Sequence, residues 1–213
     1  MLTQEDVQEI LAELNVVLVN KHFVYTSGKH GSAYVNKDGI YPHTMKLKKL
    51  CGAIAWRFRH DNIQTVVSPA VGGVALCQWV AQDLTERTGD QVFAVYAEKV
   101  EGTKPAQFQF NRGYAEFVRG KRVLVVEDIL NTGGSAHAVI NAVRDIDGVM
   151  VAAAALVNRG GVTKQDLVVP ELYALVDVKL EAFEEADCPL CKQGVPIETS
   201  VGKGKEFLAK QTK

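Results

Sequence analysis

Residues 123–135 read Val-Leu-Val-Val-Glu-Asp-Ile-Leu-Asn-Thr-Gly-Gly-Ser, and the fold follows from how this stretch changes character along its length. Val123 to Val126 form an apolar run suited to a strand buried on both faces. Two carboxylates, Glu127 and Asp128, follow at its carboxyl end. A short polar turn, Asn131-Thr132-Gly133-Gly134-Ser135, leads to Ala136, Val139, Ile140 and Val143, which are spaced to share one helical face. Backbone N–H groups at such a helix start attract a phosphate, and the two acids can accept hydrogen bonds from ribose hydroxyls. The arrangement therefore reads as a sugar-phosphate site. Taken alone, the same string also fits a plain strand–turn–helix joint with solvated acids.

Outward from this stretch, strands and helices alternate. Toward the N-terminus, strand 65–67 passes through Ser68-Pro69-Ala70-Val71-Gly72-Gly73 into a helix over 73–87. Strand 92–97 and a long polar loop to about 120 come next. Downstream lie a helix over 135–146 and strands at 149–157 and 172–178. Near the N-terminus, Thr3 and Asp6 open a helix carrying Val7, Ile10, Leu11 and Leu14. A second helix spans 43–60, and residues 22–42 read as irregular or strand-like. Alternation of this kind predicts an α/β, doubly wound, mostly parallel sheet whose ligands sit beyond the carboxyl ends of the strands. The 213 residues fit one domain, with a core at about 43–180 and a small hood made of about 18–42 and an appendage at about 180–213.

Composition narrows the function classes. The formal net charge of −1 demands neither nucleic acid nor an acidic surface as partner. No apolar run approaches the length of a membrane span, and the start, Met1-Leu2-Thr3-Gln4-Glu5-Asp6, is unlike a signal peptide, so a cytoplasmic protein is expected. Cys51, Cys77, Cys188 and Cys191 then read as free thiols. Cys188-Pro189-Leu190-Cys191 has metal-ligand or redox spacing, but the neighbouring sequence supplies no further ligands. His22, His30, His43, His60 and His137 show no metal spacing either, so reduced structural thiols are expected, with zinc shared across a symmetric dimer as the alternative.

The 123–135 string resembles the PRPP-binding motif of the type I phosphoribosyltransferases. The resemblance implies that Glu127 and Asp128 hold the ribose hydroxyls, and that Ile129, Leu130, Asn131, Thr132, Gly133, Gly134 and Ser135 form the 5′-phosphate loop. Ala70, Val71, Gly72 and Gly73 would then be the pyrophosphate loop, which in that family contains a non-proline cis peptide. Phe23-Val24-Tyr25-Thr26-Ser27-Gly28-Lys29 is similar to the N-terminal motif of the orotate members. Tyr34 would lie beneath the nucleobase, Lys29 and Lys37 would bring positive charge, and Arg159 would meet the base through its two-pronged guanidinium.

Two departures from the orotate pattern stand out. Lys99 matches the first lysine of that family's mobile cationic flap, but Glu98 replaces the flap's arginine and its His-Gly pair is absent, leaving Lys104 or Arg112 as candidates for the missing charge. Asn131 occupies a position commonly filled by threonine. The resemblance implies transfer of phosphoribose from PRPP to orotate, with Mg2+ held through PRPP and waters rather than directly by the protein. It also implies a homodimer sharing the 98–120 loop. The alternatives are transfer to a purine base, or a PRPP-sensing regulator that binds nucleic acid.

Overall fold

A computed structural model describes residues 2–25, 27–36, 39–178 and 180–211. The chain forms two compact units, Met1–Gln8 with His43–Val178, and Glu9–Pro42 with Lys179–Lys213. No described helix is long and apolar enough to cross a membrane.

The first unit is built on a six-stranded sheet. Its strands are β3 (Thr65–Pro69), β4 (Phe93–Lys99), β5 (Phe108–Gln109), β6 (Arg122–Leu130), β7 (Val149–Asn158) and β8 (Leu172–Asp177), in the order β5-β4-β3-β6-β7-β8. All neighbours are parallel except β4 and β5. Helices α2 (Thr44–Phe58), α3 (Val74–Thr88) and α4 (Gly134–Arg144) flank it. The apolar stripes dictate their packing: Leu47, Leu50, Cys51, Ile54 and Phe58 of α2 are buried, as are Ala136, Val139, Ile140 and Val143 of α4. Val123 to Val126 are fully buried, as a strand covered on both faces requires.

Two expectations need correction. First, β6 does not stop at Val126. Its pairing with β3 ends at Val67↔Val125, but its ladder with β7 runs on to Leu130↔Asn158. Glu127 and Asp128 therefore lie within the strand rather than after it. Second, the stretch to 120 is not simply a polar loop. Phe108, Phe110, Tyr114 and Phe117 pack against the core, and they fasten the short strand β5 and a 3-10 turn at Tyr114–Phe117.

In the second unit, β1 (Val17–Val24) and β2 (His30–Val35) make an antiparallel hairpin, so the segment expected to be irregular is ordered by pairing. Asn20, at φ 60, lies where the register shifts between Val19 and Phe23. The tail segment joins this hairpin through isolated bridges, His22 with Ile197 and His30 with Phe183. It also carries the short helices α6 (Pro189–Lys192) and α7 (Gly204–Gln211), α5 (Lys164–Leu167) lying between β7 and β8 in the first unit. Helix α1 (Gln4–Glu13) opens with a reciprocal cap: Thr3 N–H donates to Asp6 Oδ2 at 2.6 Å, and Asp6 N–H to Thr3 Oγ1 at 3.1 Å.

Candidate active site

The strand order reverses between β3 and β6: β3 is followed by β4 on one side and by β6 on the other. In open α/β sheets this switch point opens a crevice at the carboxyl ends of the strands. Both glycine loops singled out in the sequence start there, one after Pro69 and the other after Leu130.

The loop after β6 has the features of an anion cradle. Gly133 takes φ 74, a left-handed conformation that suits glycine, and it caps α4 without any side-chain hydrogen bond. The Gly134 amide donates only to Thr132 Oγ1, at a long 3.4 Å. The amides of Thr132, Gly133, Ser135 and Ala136 make no hydrogen bond to any carbonyl among the described residues. A row of amides left over at the start of an eleven-residue helix is the arrangement that accepts a phosphate. Asn131, Thr132, Gly134 and Ser135 are exposed, so an anion can reach it.

Glu127 and Asp128 are 8% and 2% exposed. They lie beyond the last residue that pairs with β3, on a portion of β6 flanked by β7 alone. There the Asp128 Oδ1 accepts the Ile129 amide at 2.7 Å. The carboxylates thus belong to the buried carboxyl-terminal part of the strand, not to a solvated turn.

The loop after β3 repeats the plan. The Ala70–Val71 peptide is cis, as the resemblance implies. Ala70 N–H donates to the Ala97 carbonyl at 2.8 Å, which ties the loop to β4, while the Val71 and Gly72 amides have no carbonyl partner among the described residues. Gly73 needs its missing side chain, since a Cβ there would stand 2.7 Å from Ser68 Cβ.

Arg159 follows β7 directly. Its amide and that of Gly160 both donate to the Leu130 carbonyl, at 2.8 and 3.1 Å. A Cβ on Gly160 would fall 1.4 Å from the Asn131 carbonyl oxygen, so the Arg159 turn and the loop after β6 can touch only because that residue is glycine. The buried Asn158 closes this turn: its Nδ2 donates to the Val162 carbonyl at 2.9 Å and its Oδ1 accepts the Val162 amide at 3.0 Å. Sequence reasoning passed over Asn158, whose only signal was a polar residue ending an apolar strand.

Lys99 ends β4, exposed and without an ion pair among the described residues. Glu98 accepts hydrogen bonds from Asn111 and, at 3.2 Å, from Arg112. The Asn111 amide first, and Arg112 next, hold its carboxyl below the usual carboxylate range. Arg112 thus pairs with Glu98 within its own hairpin, at an exposed position. Lys104 remains exposed.

The second unit places the other candidates as follows. Lys29 pairs with Glu184 at 3.0 Å. Tyr34 is half-buried, its ring 5.5 Å from that of Phe23. Lys37 lies outside the described residues. The expectation that Cys188 and Cys191 lack companion ligands is wrong: His22 and His30 stand with them, all four ligand atoms lying within 4.8 Å of one another. No local spacing could reveal this, because the hairpin and the tail meet only in three dimensions.

Comparison with known proteins identifies the family and the fold. The family described as "Phosphoribosyl transferase domain" matches residues 38–178. An orotate phosphoribosyltransferase of Thermoanaerobacter sp. is 34% identical over 197 residues, covering 92% of this chain and 96% of that protein. The Caldicellulosiruptor bescii protein of the same name is 34% identical over 180 residues, 84% of this chain and 88% of its own. Among solved structures, orotate phosphoribosyltransferase from Aeropyrum pernix superposes with a TM-score of 0.60 at 23% identity, covering 80% of this chain and 93% of that one. Adenine phosphoribosyl transferase from Trypanosoma brucei gives 0.58 at 16% identity, covering 94% and 91%, a likeness of fold alone.

Proposed function

We infer the activity from one premise: this chain belongs to the phosphoribosyltransferase family, and relatives matched along most of its length are orotate phosphoribosyltransferases. The proposed reaction joins orotate to PRPP, giving orotidine 5′-monophosphate and pyrophosphate. The single observation that carries it is the row of carbonyl-free amides between Thr132 and Ala136, set directly after two carboxylates.

The chemistry asks for little acid–base work. Orotate supplies an anionic nitrogen, the C1 carbon of the ribose develops positive charge, and pyrophosphate leaves. Catalysis is then positioning plus electrostatics. In this reading Thr132, Gly133, Gly134 and Ser135 hold the 5′-phosphate, and Ile129, Leu130 and Asn131 shape its approach. Asp128 and Glu127 fix the ribose hydroxyls and face the developing cation. Val71 and Gly72 offer amides to the pyrophosphate, with Ala70 and Gly73 setting the turn, and Lys99 neutralises it as it leaves. Arg159 receives the carboxylate of the base, while Lys29, Tyr34 and Lys37 complete the base side.

Mg2+ suits such a substrate. Its octahedral shell would be filled by PRPP oxygens and water rather than directly by the protein. Its contribution would be to offset charge on the leaving pyrophosphate. We propose a homodimer in which the 98–120 hairpin of one protomer serves its partner, in the cytoplasm, with no nucleic acid or membrane partner.

The test is incubation with PRPP, Mg2+ and, separately, orotate, uracil, adenine, hypoxanthine and xanthine, followed by pyrophosphate detection. Turnover with orotate is expected, and the KM for orotate should rise at least about tenfold in Arg159→Ala, as loss of a charged hydrogen-bonding partner does. Turnover with a purine alone would overturn the base assignment. Salt-dependent nucleic-acid binding without turnover would overturn the enzyme reading.

A further inference from the structure

The second unit holds a cluster that the proposed transfer does not use. Strand β1 contributes His22 and β2 contributes His30, while the tail contributes Cys188 and Cys191 from either end of a Cys-Pro-Leu-Cys turn. His22, His30 and Cys188 are almost wholly buried. His22 Nε2 lies 2.9 Å from His30 Nδ1 and 3.7 Å from each cysteine sulfur, and Cys191 Sγ lies 3.3 Å from His30 Nδ1. A tetrahedral zinc ion, with bonds of about 2.0–2.1 Å to nitrogen and 2.3 Å to sulfur, holds its ligand atoms roughly 3.5 Å apart. Those four distances, 2.9 to 3.7 Å, bracket that spacing, and all four donors lie within 4.8 Å of one another.

The protonation pattern fits as well. His22 Nδ1 lies 2.8 Å from the Val195 carbonyl oxygen, which can only accept. Nδ1 therefore carries the proton, and Nε2 presents its lone pair to the other three groups. Metal-bound histidines are oriented by this kind of outer hydrogen bond.

We propose that His22, His30, Cys188 and Cys191 bind one zinc ion in a closed tetrahedral Cys2His2 site that clips the tail to the β1–β2 hairpin. Binding releases two thiol protons to solvent and forms two Zn–S and two Zn–N bonds, with no change of oxidation state. Two thiolates and two imidazoles select zinc over magnesium or calcium, and four protein ligands leave no open position for chemistry. The site is structural. Its purpose follows from its surroundings: the ligands' own backbones make the tail contacts, His30 exchanging two 2.8 Å hydrogen bonds with Phe183 and the His22 carbonyl accepting the Glu198 amide at 2.7 Å. A small unit assembled from two distant chain segments gains most from such a staple.

The test uses the full chain, purified without chelator in the presence of reductant. Elemental analysis should find one zinc per chain. After stripping, titration with Co2+ should give the visible bands of tetrahedral cobalt and thiolate-to-cobalt charge transfer in the near ultraviolet, saturating at one equivalent. Zinc-loaded protein should melt at least about 5 °C above stripped protein. Cys191→Ser should lose the charge-transfer intensity in large part, whereas Cys51→Ala, changed in the other unit, should keep it. A wild-type chain that takes up neither metal with its cysteines reduced would overturn the site. So would an octahedral cobalt spectrum, or one unchanged in Cys191→Ser. None of these readouts depends on turnover.

Discussion

Two neighbouring glycines at the start of α4 separate what the phosphate loop needs for folding from what it needs for binding. Gly133 has φ 74, and a Cβ there would meet Leu167 Cδ2 and Val162 Cγ1, each at 3.0 Å. Gly133→Ala places an L side chain in the left-handed region, at about 1–2 kcal/mol, and crowds two buried side chains, at roughly 1 kcal/mol more. A loss near 2–3 kcal/mol is expected, or roughly 5–10 °C in Tm for a chain of this size. Gly134 differs: its Cβ would meet only Thr132 Oγ1, at an ordinary 3.5 Å, in a helical backbone. Gly134→Ala should leave stability unchanged or raise it by about 0.5–1 kcal/mol.

Binding reverses the distinction. A methyl on Gly134 occupies the exposed surface where the amides would receive the 5′-phosphate, and hinders at least one charge-assisted hydrogen bond worth about 1.5–3 kcal/mol. The KM for PRPP should therefore rise about tenfold to a hundredfold in the more stable variant. The assay is pyrophosphate release against PRPP concentration, paired with thermal melting of both variants. A Gly134→Ala protein with unaltered KM for PRPP would show that the phosphate binds elsewhere. A Gly133→Ala protein that melts with the wild type would refute the conformational argument.

Other perturbations probe the remaining parts. Asp128→Asn keeps an oxygen for the Ile129 amide but removes the charge, so kcat should fall by about 10²–10³ with Tm nearly unchanged; wild-type turnover would sink the role given to Asp128. Asn158→Ala leaves the buried Val162 amide and carbonyl without their partner, so urea melts should lose about 1–3 kcal/mol, and an equal midpoint would refute the clamp. Lys21 and Ser200 depress the Glu198 carboxyl to about 2, so its stabilisation is complete above the ordinary carboxylate pKa and disappears as pH falls through about 2. The melting difference between wild type and Glu198→Gln should accordingly shrink from pH 6 to pH 2; a difference that grows on acidification would contradict the pairing.

The parts of the chain readable from sequence are those whose structure is decided by neighbours in sequence. Helix α3 was expected over 73–87 and spans Val74–Thr88, and β7 was expected over 149–157 and spans Val149–Asn158, because periodicity and glycine turns act within a few residues. The end of β6 was misplaced for a reason of the opposite kind. Periodicity ends at Val126, but β7 supplies ladder partners for Glu127 to Leu130, and pairing outweighs the polarity of two acids. The aromatic residues between 108 and 117 likewise look like decoration on a polar loop until the core they pack against is known.

The histidine–cysteine cluster marks the limit of local reading most clearly. Its four ligands come from β1, β2 and both ends of a tail turn; the hairpin closes locally, Val24 pairing with His30, but the tail joins it only through contacts far apart in sequence, His30 with Phe183 and His22 with Ile197. Closing such long loops has an entropic cost that grows only slowly with length. A metal ion supplies binding free energy at that one point, and only in the folded arrangement, since the unfolded chain does not gather the four donors. The sheet unit needs no such device, because its strands and helices bury continuous apolar faces against one another. One chain thus holds its two glycine loops on a core legible in its own periodicity, and fastens its hairpin with groups whose meeting no periodicity encodes.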